Sequence, residues 1–325
     1  MKFSRTAKIA AAFAVAALAL TGVNAQAASA ANTKTVYVLG GGDAFFAVVK
    51  NGYNAGAKSV TAAGWKTVWL GLKNYDNVGP DMVKLIATAV SQKATAIALP
   101  DWVPTAMNAS IKGAVSKGIK VILYNAGQDQ LDATGAPIYI GSDEYLAGQT
   151  GGKYMAKNGA KHLICVNTTP GSTNLEARCN GLADGMKSGG GKGEQLELPA
   201  TSFANATAVA NAVKAKLTSD KTIDAVFTIS SGDADAAANG IKAAGSAAKL
   251  GTFDLSTNVL NRIKGGTQAV AIDQQGWLEG FQAVVTAWQY AAYGIVPASN
   301  ILTGPSLITK SNAAQVIKGV KTGQR

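Results

Sequence analysis

The chain has little of what most catalytic centres use. It contains one histidine, His162, and two cysteines, Cys165 and Cys179. One imidazole cannot supply a multi-histidine metal cluster, and no nucleophile–histidine–acid set is visible. His162 stands at the start of an apolar run and reads as a surface residue at a strand start. Charge is sparse too. The formal net charge is +11, yet there is no arginine-rich run and no helix-turn-helix segment. Lys50, Lys58, Lys84 and Lys112 are spread along predicted helices, so the basic balance reads as a solvated surface rather than a nucleic-acid footprint. Beyond residue 30 no apolar run is long enough to span a membrane.

The first thirty residues are a separate object. Lys2, Arg5 and Lys8 precede an apolar, Ala-rich stretch at 9–20, followed by small residues at cleavage-like spacing, ending near Ala27 or Ala30. This is the pattern of a secretory signal peptide (residues 1–30), too short in its apolar core for a comfortable span. The expected location is the periplasm. In an exported chain an even cysteine count suggests a Cys165–Cys179 disulfide, which would add roughly 3 kcal/mol by loop-closure entropy. The alternative is a buried thiol in a strand at Cys165 and an unpaired helix residue at Cys179.

The remaining chain alternates short β-branched runs with Ala-rich helical stretches. Strands are predicted at 36–39, 67–70, 96–99, 120–124, 138–140, 163–167, 195–198, 225–229, 250–253 and 269–272. Helices are predicted at 46–63, 80–92, 104–117, 144–158, 175–187, 205–217, 234–244 and 276–292. Continuous apolar strands separated by helices imply parallel sheets covered on both faces, an α/β fold with right-handed crossovers. The strands form two series of about five, which implies two similar three-layer lobes around a cleft. The expected division is 33–142 with 275–304 for the first lobe, and 143–274 with 305–325 for the second.

In open parallel sheets ligands sit beyond the carboxyl ends of the strands. The residues found there are Asp43, Phe45 and Phe46, then Asn125 and Gln128, then Asn174 and Arg178. Phe203, Ser230, Ser231, Asp233, Asp254, Asp273, Gln274 and Gln275 follow. Planar polar groups with a few aromatics suit a carbohydrate. Rings pack on its C–H faces, while Asp, Asn, Gln and Arg bind its hydroxyl rim. Singly, each has a plainer role: Asp43 or Asp254 as a helix cap, Asn125 as a turn former, a lone Phe as core. The glycine run at 40–42 is expected to let the backbone turn sharply and approach a ligand. It is not a phosphate loop, because the third glycine of GxGxxG would fall at Phe45.

Several segments resemble the periplasmic sugar-binding proteins of ABC importers, the ribose- and galactose-binding type called type I periplasmic binding proteins. They are GGGDAFFAVVKNGYNAGAK, VILYNAG, GSDEYLAGQTGGKYMA, NLEARCNGLADGMK, GTFDLSTNVLNRIKGG and AIDQQGWLEGFQAV. The resemblance covers the whole chain after residue 30, with FDLS and AIDQQ its most specific parts. It implies two lobes joined by a multi-strand hinge, closing on a simple sugar or polyol. Phe45 and Phe46 would wall the ring, with Phe203 opposite. Asp43, Asn125, Asp254 and Gln274 would bind hydroxyls, and Arg178 would give a charge-assisted fork. Ser230 or Ser231 would stand where ribose-binding members have asparagine. Asp43-Ala44 replaces an Asn-Pro pair and Asn125-Ala126 an Asp-Arg pair, which argues against a ribose-specific site.

The resemblance further implies a monomer with no cofactor, no metal and no catalysis, delivering its ligand to a membrane permease, with a chemoreceptor as an additional partner. Two other readings stand beside it. One is an exported carbohydrate-active enzyme using cleft carboxylates, which would need two carboxyls at a defined separation. The other is a transcriptional regulator with the same core, opposed by the signal-like segment and the missing DNA-binding head.

Overall fold

The computed structural model describes residues 34–325, so the signal-like segment lies outside the described residues. The first series runs β1 (Thr35–Gly40), α1 (Ala44–Ala62), β2 (Lys66–Gly71), α2 (Val78–Ser91), β3 (Ala96–Leu99), α3 (Pro104–Ser116), β4 (Lys120–Tyr124), α4 (Leu131–Thr134) and β5 (Tyr139–Ser142). The second runs α5 (Glu144–Lys157), β6 (His162–Asn167), α6 (Thr173–Ser188), β7 (Lys192–Glu197), α7 (Ala206–Ser219), β8 (Ala225–Thr228), α8 (Ser231–Ala243), β9 (Lys249–Phe253), α9 (Thr257–Gly265) and β10 (Val270–Asp273). The chain ends with α10 (Gly276–Tyr293), β11 (Ile301–Gly304), β12 (Ser306–Ile308) and α11 (Ala313–Lys321).

Two six-stranded sheets result, ordered β11-β5-β4-β3-β1-β2 and β12-β10-β9-β8-β6-β7. The order is the same in both once β1 is matched to β6. Strand pairs are parallel except β10 with β12, which is antiparallel. In each sheet the order reverses beside the first strand, between β1 and β3 and between β6 and β8. That is where an open α/β sheet leaves a crevice. The four central strands of each sheet read as continuous apolar runs because helices cover both faces.

The ten expected strands are present with shifted ends, and β11, β12, α4, α9 and α11 were not expected. β11 and β12 have partly exposed, mixed side chains, so no apolar run announces them. Both are edge strands, and they carry the chain from the first sheet to the second through Gly304 and Pro305. The chain also changes sheet between β5 and α5, and again between β10 and α10. α5 packs on α6, while α10 packs on α1 and on β1, β3 and β4.

These two helix pairs meet at glycines. A Cβ on Gly52 would fall 1.8 Å from the Trp277 carbonyl oxygen, and one on Gly280 1.8 Å from that of Val49. In the other pair, a Cβ on Gly148 would fall 2.1 Å from the Arg178 carbonyl and one on Gly181 2.1 Å from that of Tyr145. Only glycine admits backbones this close. Cys165 in β6 and Cys179 in α6 are bonded to each other, with Cα atoms 5.5 Å apart.

Candidate functional site

The strand ends of both sheets converge on one cavity. Nine of the ten anticipated ligand residues line it: Asp43, Phe45, Phe46, Asn125, Arg178, Phe203, Ser230, Asp254 and Gln274. Ser231 does not. It faces a smaller adjoining space beside Asp254 and Asp273. Tyr75, Val78, Trp102, Thr169, Ser172, Asn174, Leu175 and Ile229 complete the lining.

The first lobe contributes an aromatic wall. Phe46 is edge-on to Phe45, Trp102 and Tyr124 at centroid distances of 5.3, 5.5 and 6.5 Å. Such edge-to-face packing fixes each ring against its neighbours. Asp43 caps α1, its Oδ1 accepting the Phe45 amide at 2.7 Å and the Phe46 amide at 3.2 Å. Its Oδ2 accepts the Tyr75 hydroxyl. The capping role and the cavity-facing role therefore coexist in one carboxylate.

The glycine run serves these rings rather than the ligand, which corrects the expectation from sequence. None of Gly40, Gly41 and Gly42 has a left-handed backbone. A Cβ on Gly41 would sit 1.8 Å from the Tyr75 hydroxyl oxygen and 2.6 Å from the Phe46 ring, and one on Gly42 2.4 Å from the Leu72 carbonyl oxygen. The glycines are small so that aromatic side chains can lie flat on the turn.

The second lobe contributes a buried polar network. Arg178 Nε and Nη2 form a fork on the Glu144 carboxylate at 2.7 and 2.8 Å. Nη1 donates to the Ile229 carbonyl at 3.0 Å, and Nη2 also donates to Gln274 Oε1. Four of the five guanidinium N–H groups are thus committed within the protein, leaving one on Nη1 for a ligand. The expected fork exists, but it grips Glu144. Gln274 passes its amide hydrogen on to Asp254 Oδ1. The guanidinium also stacks over the Phe253 ring at 4.4 Å.

Burial shapes the electrostatics. It raises the Glu144 carboxyl, and the guanidinium opposes that shift. It works against the charge on Arg178, but Glu144, Asp254 and Glu279 together outweigh it, so that pKa is raised. Burial pushes Asp254 up to about 7 despite the pull of Arg178. Asp233, which accepts from Thr168 and Ser230, is raised by burial to about 6.

Two polar residues of the site hold left-handed backbones, Asn125 with φ 63° and Asp254 with φ 67°. Each follows the fourth strand of its series, and its amide bonds to the fifth strand, at Ile140 and Ile272 respectively. Non-glycine residues in this conformation carry strain that surrounding structure must hold, a frequent mark of functional positions. Asn125 Oδ1 accepts the Trp102 indole N–H at 3.0 Å, and its amide donates to Glu279 at 3.3 Å. One amide hydrogen of Asn125 stays available to a ligand.

The two lobes touch around the cavity. The Thr173 amide donates to the Trp102 carbonyl at 2.9 Å, and the Tyr75 and Phe203 rings meet at 4.5 Å. The cleft is therefore closed. Glu144 and Glu279, which orient Arg178 and Asn125 from behind, were not anticipated, and neither were Tyr75 and Trp102. His162 is not on the surface; it is 3% exposed at the opposite end of the second sheet.

A protein family described as "periplasmic binding protein domain" matches residues 35–294. The solved structure of a carbohydrate transporter from Acidothermus cellulolyticus 11B, in complex with myo-inositol, superposes with a TM-score of 0.81 at 34% identity, covering 90% of this chain and 100% of that one. A solute-binding protein from Burkholderia graminis C4D1M, in complex with D-arabinose, superposes with a TM-score of 0.75 at 23% identity, covering 86% and 96%. A xylose/arabinose-binding protein of Sulfolobus acidocaldarius is 26% identical over 262 residues, 75% of this chain and 63% of that relative's length.

Proposed function

The chain belongs to the periplasmic binding protein family, and on that premise we propose that it captures a neutral cyclic polyol or simple sugar between its lobes and delivers it to the membrane permease of an ABC importer. One observation carries the proposal. The cavity sets an aromatic wall from one lobe against a buried polar network from the other, and the only guanidinium among the described residues lining it is already neutralised by Glu144. An anionic ligand such as a sugar phosphate would find no uncompensated cation. A neutral ring finds flat apolar faces and an acceptor-rich rim that receives hydroxyl hydrogens.

In this reading Phe45, Phe46 and Trp102 bracket the C–H faces, and Phe203 with Tyr75 closes the entrance. Asp43 and Asp254 accept hydroxyls, while Asn125 and Arg178 each donate one N–H. The 34%-identical relative solved with myo-inositol supports a cyclitol as the first ligand to try. No chemical step is required of the cleft carboxylates, whose partners are backbone amides, Tyr75 and Gln274. The protein acts as an exported monomer, outside the cytoplasm, without cofactor.

A thermal-shift screen of the protein from residue 31 onward tests this. Ligand at 100 times its dissociation constant adds about 2.7 kcal/mol, or roughly 5–10 °C for domains of this size. A shift confined to a few related cyclitols or sugars, recovered unchanged afterwards, supports binding without turnover. Conversion of the compound would establish the enzyme reading instead, and shifts only with anionic compounds would refute the neutral site.

A further inference from the structure

We propose that His162, Glu194 and Asp220 form a binding site for a borderline divalent metal ion such as Zn²⁺, at the base of the second lobe and away from the ligand cleft. One donor atom from each of these residues lies within 4.8 Å of the others. His162 opens β6. Its register partner on β7 is Lys192, so Glu194, two residues on, lies on the same face. Asp220 enters from the turn after α7.

The hydrogen bonds define the state of the ring. Thr222 Oγ1 donates its single hydrogen to Asp220 Oδ1 at 2.6 Å. The same oxygen lies 2.7 Å from His162 Nδ1. It has no second hydrogen to give, so Nδ1 must be the donor. In the neutral ring Nε2 then carries the lone pair. That atom is buried and has no hydrogen-bond partner among the described residues. Its charged neighbour is Glu194 Oε1 at 3.4 Å. Asp220 Oδ2 faces the ring 3.8 Å from Nδ1.

Glu194 faces that lone pair and Asp220 stands beside the same ring, so one nitrogen and two carboxylate donors are gathered within reach of a single cation. Imidazole with two carboxylates suits zinc, with water completing the coordination. Thr222 acts as the outer partner that fixes ring orientation and tautomer. Lys216, 2.9 Å from Glu194 Oε1, is a cation that the metal would displace.

The test is a Zn²⁺ titration of chelator-treated protein against a chromophoric competitor, repeated with Co²⁺ for its visible absorption. Wild type is expected to bind one ion per chain. His162→Ala should abolish the site, and Thr222→Val should weaken it about 10–100-fold, the usual effect of losing an outer partner. Lys216→Ala should tighten it, because the competing cation is gone. If His162→Ala fails to fold, Glu194→Gln gives the same loss with the ring in place. Absence of saturable one-to-one binding in wild type would overturn the proposal. So would affinity unchanged in both Glu194→Gln and Thr222→Val, or a ring that titrates by NMR without responding to Zn²⁺.

Discussion

The two lobes share one backbone plan and use it for different chemistry. Their sheets have the same strand order, and the loops after the first four matched strands reach the same cavity. After the first strand, one lobe presents Asp43 and two phenylalanines where the other presents Asn174 and Arg178. The loops after the second strand place Tyr75 and Phe203 ring to ring. After the third come Trp102 and Ser230. After the fourth, both lobes hold a left-handed polar residue, Asn125 and Asp254. The frame fixes where side chains arrive. Their identity gathers most of the aromatic rings in the first lobe and the buried ionic network in the second, with Asp43 and Asn125 adding polar groups to the first.

Substitutions can break this division of labour. The largest effect is expected at Arg178. Arg178→Ala leaves Glu144 buried without its partner, a loss of about 3–5 kcal/mol in stability together with ligand binding. Denaturant unfolding and calorimetry read the two. In the first lobe, Asn125→Ala should cost only about 1–3 kcal/mol, since it leaves unsatisfied polar groups rather than a lone charge.

Second comes the disulfide, which only one lobe has. Replacing both Cys165 and Cys179 by serine should lower stability by roughly 3 kcal/mol. The unfolded, unreduced wild type should show no titratable thiol; two would contradict the bond.

Third is Asp101, in the loop that bears Trp102. It is fully buried, neither carboxylate oxygen has a partner among the described residues, and burial raises it to about 7. A carboxyl raised on folding holds its proton better in the folded state. Its contribution is present at pH 4 and below and is lost as pH climbs through 7. Asp254 has the same sign. Asp101→Asn should therefore gain about 1–3 kcal/mol at pH 8 and much less at pH 5, flattening the melting profile between them. The smallest effect is expected at Phe203. Phe203→Ala removes the ring contact with Tyr75, worth about 0.5–1.5 kcal/mol, and should weaken ligand binding 2–10-fold in calorimetry.

Much of this was legible in the sequence because parallel strands buried on both faces are written as apolar runs. Residues just beyond them inherit a position from topology alone. That rule reached Asp43, Phe46, Arg178 and Asp254. Applied after the second and third strands it would also have reached Tyr75 and Trp102, since both stand in the loops that follow. It could not reach Glu144 or Glu279. They lie on helices that start at the sheet crossings, and they act through Arg178 and Asn125, a pairing set by tertiary contact rather than spacing. The same limit explains the glycine run, whose neighbours Tyr75 and Leu72 come from another loop. It also explains His162, buried by residues 32 and 58 positions away.

The most direct test of the central claim is a calorimetric titration of wild type and Arg178→Lys with the cyclitols and sugars that shift its melting temperature. One ligand per chain is expected, with a negative heat-capacity change from burial against the aromatic wall and weaker binding in the variant because lysine cannot reproduce the fork on Glu144. Saturable binding only of anionic ligands, or wild-type affinity in Arg178→Lys, would contradict that claim.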